Sequence, residues 1–142
     1  MPGVSPFLVL STNLLYYLFK MASYDVLGQF YDEIMGDQKE SARIIRRLIG
    51  QHHPKAVSLL EIACGTGSYL FNLKNHYNVA GLDHSSVMLS ITRDKLPEIS
   101  LFQTDMLSFR LNQKFDAIIC MNDSINHLLR LRDWEKLLSK AS

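Results

Sequence analysis

An α/β fold with a doubly wound parallel sheet is predicted, on three observations. Short apolar runs alternate with helical patterns from Ala56 onward. The runs at 56–63, 77–82 and 115–120 are nearly continuous in apolar character, as suits strands buried on both faces. The first run ends in Cys64-Gly65-Thr66-Gly67, a glycine turn that leads directly into a helical pattern.

Taken in order, Gln38 to Leu48 places Ala42, Ile45, Leu48 and Ile49 at helical spacing. Ser41, Arg43, Arg46 and Arg47 lie mostly on the other side. This amphipathic helix is expected to end at Gly50, and Pro54 bars continuation. Ala56 to Ala63 is the first strand, and a helix begins near Ser68. The second strand, Tyr77 to Leu82, ends at Asp83, with Ser85 or Ser86 as the cap of a helix that Pro97 terminates. Ile99 to Gln103 and Phe115 to Cys120 are the third and fourth strands, joined by a connection from Asp105 to Arg110. The last helical stretch carries Leu131, Trp134, Leu137 and Leu138 on one face, with Asp133 near its start.

Composition narrows the function classes. A chain of 142 residues forms one domain with a real core. Fifteen Lys and Arg against fourteen Asp and Glu give a net charge of +1, so no global field draws a polyanion, and nucleic acid is not favoured as a partner. Cys64 and Cys120 fit no metal or C-x-x-C spacing and read as buried, reduced thiols of a cytoplasmic protein. His52 and His53 lack the further ligands of a metal site. The apolar run from Phe7 to Phe19 falls short of the roughly 20 residues of a spanning helix, so no membrane span is expected. Residues 1–20 read as an extension outside the domain, and Met21 opens a segment that looks like a natural start.

In a doubly wound sheet a ligand sits beyond the carboxyl ends of the strands. Glu61 to Gly67, EIACGTG, occupies that place. Gly65 and Gly67 let the backbone approach a ligand. A carboxylate at Glu61 would repel a pyrophosphate but suits a cationic ammonium, so the site favours a cationic ligand over a dinucleotide.

EIACGTG resembles the first motif of class I S-adenosylmethionine-dependent methyltransferases of the small-molecule type, with Ala63 where many members carry glycine. Three further segments follow in compatible order. Asp83 in GLDHS, sixteen residues after Gly67, matches the acid that accepts from both ribose hydroxyls. In FQTDML, the resemblance implies that Asp105 accepts from the adenine amino group while the Met106 backbone lies beside the ring. FDAIICMNDSINHL resembles the fourth-strand motif, with Met121 against the cofactor and later residues facing the substrate. Cys64, His84 and Met88 are further implied cofactor contacts, and YDVLGQFYD resembles a segment whose tyrosines, here Tyr24 and Tyr31, close over the ligand. For both tyrosines, aromatic packing on the first helix is the alternative role.

The resemblance implies a Rossmann-like sheet and a partial S-adenosylmethionine-binding methyltransferase domain over 21–142, truncated after about four strands. It also implies S-adenosyl-L-methionine as cofactor and methyl transfer to a small-molecule N or O acceptor. The MNDSINHL stretch is similar to that of methyltransferases acting on small metabolites, including nucleotide-sugar amines. His127 stands where an imidazole could take a proton from the acceptor, or could serve as a helix-end hydrogen bonder; Asp123 and Asn126 could orient the substrate. Were the chain the whole product, the fourth strand would be an open apolar edge, with poor solubility and weak activity expected. Two other readings compete. A nicotinamide-dependent oxidoreductase would need a third glycine where Leu70 stands, and a non-catalytic cofactor-binding or interaction module would bind without transfer.

Overall fold

The computed structural model describes residues 28–121 and 130–141. A single 3-10 turn, Gly28–Phe30, leads into α1 (Tyr31–Met35) and then α2 (Lys39–His52). Strand β1 (Ser58–Ile62), α3 (Ser68–Leu73), β2 (Asn78–Asp83), α4 (Ser86–Lys95), β3 (Ser100–Gln103), β4 (Ala117–Cys120) and α5 (Leu131–Ala141) follow. The strands form one four-stranded sheet in the order β3-β2-β1-β4, and every pairing is parallel. The chain moves outward from β1 through β2 to β3 and then returns to the other side of β1. That reversal beside β1 creates the crevice in which open α/β sheets bind ligands.

Side-chain alternation along β1 divides the core in two. Leu59 joins Ala42 and Ile45 of α2, Tyr69, Leu70 and Leu73 of α3, and Leu89 of α4 on one face. Leu60 and Ile62 turn to the other face, against Ala80, Leu82, Phe109 and Leu137 of α5. Helices therefore cover both faces, as the alternation of strands and helices predicts. At the opposite end of the strands from the crevice, Asp116 staples β4 to β1. Its Oδ2 accepts from the backbone N–H of Val57 at 3.0 Å and of Ser58 at 2.9 Å, and from Ser58 Oγ at 2.8 Å.

Several boundaries differ from the sequence expectation. Helix α2 runs through Gly50 to His52, and the His53 N–H still reaches Ile49 O at 2.7 Å. A glycine weakens a helix interior by only about 1 kcal/mol, so the stop falls to Pro54. Leu48 is 47% exposed, whereas Ala42 and Ile45 are buried. At about 100° per residue, Leu48 falls about 60° outside the arc that holds Ala42, Ile45 and Ile49. Leu131, placed by spacing on the apolar face of α5, is 78% exposed, while Leu137 is buried. Residues 1–27 and 122–129 lie outside the described residues, as do Tyr24, Asp123, Asn126 and His127 among the expected site residues. Among the described residues, no helix is long and apolar enough to cross a membrane.

Gly81 in β2 is closely packed by the bend and by α3. A Cβ there would lie 2.7 Å from Cys64 Sγ and 2.8 Å from Leu70 Cδ1. Glycine is otherwise unfavourable inside a strand, so this contact explains its presence. Gly81→Ala is expected to cost about 1–3 kcal/mol through overpacking. Urea denaturation checks this, and an unchanged midpoint would count against the packing described.

Candidate cofactor site

The bend after β1 takes a shape that ordinary residues resist. Ala63, Gly65 and Gly67 all adopt positive φ, at 55°, 55° and 75°. The Cys64 N–H donates to Leu82 O at 2.9 Å, which continues the β1–β2 ladder past Ile62. Gly67 N–H turns back to Cys64 O at 2.9 Å and leads into α3. Gly67 is fixed by sterics, since a Cβ would meet Thr92 Cγ2 at 2.6 Å. Gly65 differs: among the described residues nothing lies within 4 Å of where its Cβ would be, so its backbone is open on that side. Ala63 carries its Cβ in a left-handed conformation that costs about 1–2 kcal/mol. Ala63→Gly is accordingly expected to gain about 0.5–1 kcal/mol, the relief being partly offset by greater freedom of the unfolded chain. A lowered thermal midpoint in that variant would contradict this.

Two carboxylates stand at this bend. Asp83, the half-buried last residue of β2, accepts from Gly65 N–H through Oδ2 at 2.8 Å and from Ser85 N–H through Oδ1 at 2.9 Å. Both oxygens are thereby oriented, and each retains accepting capacity for a vicinal diol. Ser85, the cap of α4, accepts in turn from Met88 N–H at 3.2 Å. Glu61 is 2% exposed at the end of β1, and its buried Oε2 finds no hydrogen-bond partner among the described residues. Burial above all, and then the negative charge of Asp83, push the Glu61 carboxyl well above the ordinary carboxylate range. The side chain is thus a desolvated acid that favours its neutral form unless a cation or a hydrogen-bond donor joins it.

The thiols beside it favour their protonated form. Burial pushes the Cys64 thiol far up, helped by the charges of Glu61 and Asp83. Cys120, at the end of β4, is pushed up to about 11 by burial and then by Glu61.

The remaining expected residues are arranged around the same end of the sheet. Thr104 N–H donates to Asp83 O at 3.0 Å, which carries the chain from β3 past Asp83 to Asp105. Asp105 itself is exposed, and its Oδ1 accepts from Leu107 N–H at 2.7 Å, closing its own turn. Met106 is half-buried against the core layer of α5. Met121 directly follows β4, half-buried against the other layer. His84 is exposed, Met88 is buried in α4, and Tyr31 is half-buried at the start of α1. Sequence reasoning missed Thr92, which is wholly buried and whose Oγ1 lies 2.7 Å from Gly65 O. It also missed Asp32, which bonds Ser68 Oγ at 2.9 Å. A polar Thr on the inner side of an otherwise apolar helix face was the available signal for the first.

A parallel sheet with a glycine bend after its first strand and an acid ending its second is an arrangement of the open α/β class, whose ligand crevice lies beyond the carboxyl ends of the strands. The chain belongs to the methyltransferase domain family, whose sequence profile matches residues 59–142. It is 42% identical over 93 residues to a dTDP-3-amino-3,6-dideoxy-alpha-D-glucopyranose N,N-dimethyltransferase of Streptomyces fradiae, covering 65% of this chain and 36% of that protein. A sugar N-methyltransferase from a Streptoalloteichus species superposes with a TM-score of 0.75 at 31% identity, covering 84% of this chain and 48% of that one. A glycopeptide N-methyltransferase complexed with S-adenosyl-L-methionine gives a TM-score of 0.62 at 27% identity, with 75% and 49% covered. The chain thus spans half or less of the length of each of these proteins.

Proposed function

We propose that this protein binds S-adenosyl-L-methionine and serves methyl transfer to the amine of a small molecule, of the kind carried by nucleotide-linked amino sugars. The observation that carries the reading is the buried Glu61 Oε2, without a hydrogen-bond partner among the described residues, at the bend that also holds Gly65 and Asp83. A cationic amino group would supply the partner that oxygen lacks and favour its charged form, whereas a dinucleotide pyrophosphate would set further negative charge beside Asp83. In this reading Glu61 holds the ammonium, Gly65 and Gly67 admit the ligand to the backbone, and Asp83 takes the ribose diol. Asp105 and Met106 address the adenine, and Met121, Met88, His84, Cys64 and Ala63 line the remainder. Tyr31 and Tyr24 cover the site, and His127, with Asp123 and Asn126, receives and orients the acceptor.

When bound, the cofactor supplies a methyl group on a sulfonium, a good neutral leaving group. The protein's share is alignment, worth roughly 7 to 11 kcal/mol for well-oriented reactants, plus a proton acceptor for the amine. Amine rather than hydroxyl transfer is favoured because the relatives named above are N-methyltransferases. The domain is assigned to 21–142 and the location to the cytoplasm, the latter in keeping with the two unpaired cysteines. Calorimetric titration with S-adenosylhomocysteine and with NAD tests the reading. Binding of the first and silence of the second is expected; the reverse would transfer the site to nicotinamide chemistry.

A further inference from the structure

The segment before the sheet is fastened at both ends. Gly28 is buried so close to α4 that a Cβ would lie 3.1 Å from Ile91 Cδ1 and 3.2 Å from Val87 Cγ1. Asp32 in α1 forms the other attachment. Its Oδ1 accepts from the Thr66 hydroxyl and from Ser68 Oγ at 2.9 Å, and its Oδ2 pairs with Lys95 Nζ at the end of α4. Thr66 is 1% exposed and stands between the two left-handed glycines.

Stability alone is a poor account of this cluster. Lys95 and Asp32 retain 28% and 42% of their side-chain exposure, and ion pairs so open to water contribute little. What the cluster does control is local shape. Gly65 is held on one side by Asp83 through its N–H and on another by Thr92 through its carbonyl. Asp32 grips the next residue along, so the bend is tied at three points to three separate elements: β2, α4 and α1. A bend already held in its ligand-ready shape spares the ordering that binding would otherwise have to supply.

We infer that Asp32 is a positioning residue for the cofactor: it clamps the glycine bend through Thr66 and Ser68, and makes closure of residues 28–35 and formation of the bend a single event. The cofactor part of this inference rests on the function proposed above; the clamp does not. Hydrogen bonds support it further, since burial alone would raise the Asp32 carboxyl, and bonds from Lys95, Thr66 and Ser68 outweigh that and hold it below its usual range.

Amide hydrogen exchange on the unliganded chain, with Asp32→Ala and Lys95→Arg variants, tests the clamp without any ligand. In Asp32→Ala, amides over 64–68 are expected to exchange about tenfold faster while those of β1 and β2 stay at parental rates. Lys95→Arg, which keeps the charge on Asp32, is expected to restore near-parental exchange. No acceleration at the bend, or equal acceleration through the whole sheet, would overturn the clamp. The second measurement is the dissociation constant for S-adenosylhomocysteine, expected to rise about three- to tenfold in Asp32→Ala. A loosened bend with unchanged affinity would overturn the positioning role. A parent that ignores the nucleoside while its bend still loosens in Asp32→Ala would leave the clamp standing and defeat the functional reading instead.

Discussion

Glu61→Gln is expected to stabilise the unliganded protein at neutral pH and to remove a stability loss that the parent shows as pH rises from acid. The sign follows from where the proton resides. Below the unfolded carboxyl pKa, about 4.3, folded and unfolded chains are both protonated at Glu61 and the residue carries no charge penalty. Above it, the unfolded chain releases the proton while the buried, folded carboxyl, pushed up by desolvation and then by Asp83, retains it. Folding then becomes less favourable with rising pH until the folded pKa is passed. The glutamine variant, which has no such proton to keep, is therefore expected to be the more stable of the two near neutrality. Urea denaturation at about pH 5 and about pH 7.5 reads both effects. Parallel pH slopes in parent and variant would show that Glu61 is not the titrating group.

Asp83→Ala is expected to weaken S-adenosylhomocysteine binding by about a hundredfold or more and to destabilise the fold by about 1–2 kcal/mol. Two backbone donors, Gly65 N–H and Ser85 N–H, lose their acceptor at once. The first belongs to the bend and the second to the cap of α4, so the loss spreads from ligand contact to ligand geometry. Hydrogen bonds to a charged partner contribute about 1.5–3 kcal/mol each, and the ribose diol would make two. The same variant should flatten the pH slope attributed to Glu61, because the charge of Asp83 is the second cause of its raised pKa. Calorimetry and denaturation on one preparation measure all three. An affinity within about threefold of the parent would contradict the role given to Asp83.

The parts of this fold that could be read in advance are those governed by local pattern. Apolar runs marked β1, β2 and β4, the first closed by a glycine turn and the second by an acid. The placement of Glu61 and Asp83 at the bend was legible too, since each stands at the carboxyl end of such a run. Contacts distant in sequence were not legible. Asp116 serves Ser58, 58 residues away, and Asp32 serves Thr66 and Lys95, 34 and 63 residues away. Nothing in YDEIM or FDAIIC marks those acids as staples. Gly50 misled for a related reason, since a glycine permits a helix end without compelling one, and the backbone bond from His53 to Ile49 held. Asp105 closes its own turn at Leu107 while standing beside the strand end that carries Asp83.

The most direct measurement compares S-adenosylhomocysteine with 5′-methylthioadenosine, which shares the nucleoside but lacks the amino-acid group, on the parent and on Glu61→Gln. The parent is expected to prefer the amine-bearing ligand by about tenfold or more, and the glutamine variant to lose most of that preference. Equal affinity of the parent for both ligands, or a preference that survives the substitution intact, would contradict the assignment of the buried carboxylate to a cationic ligand.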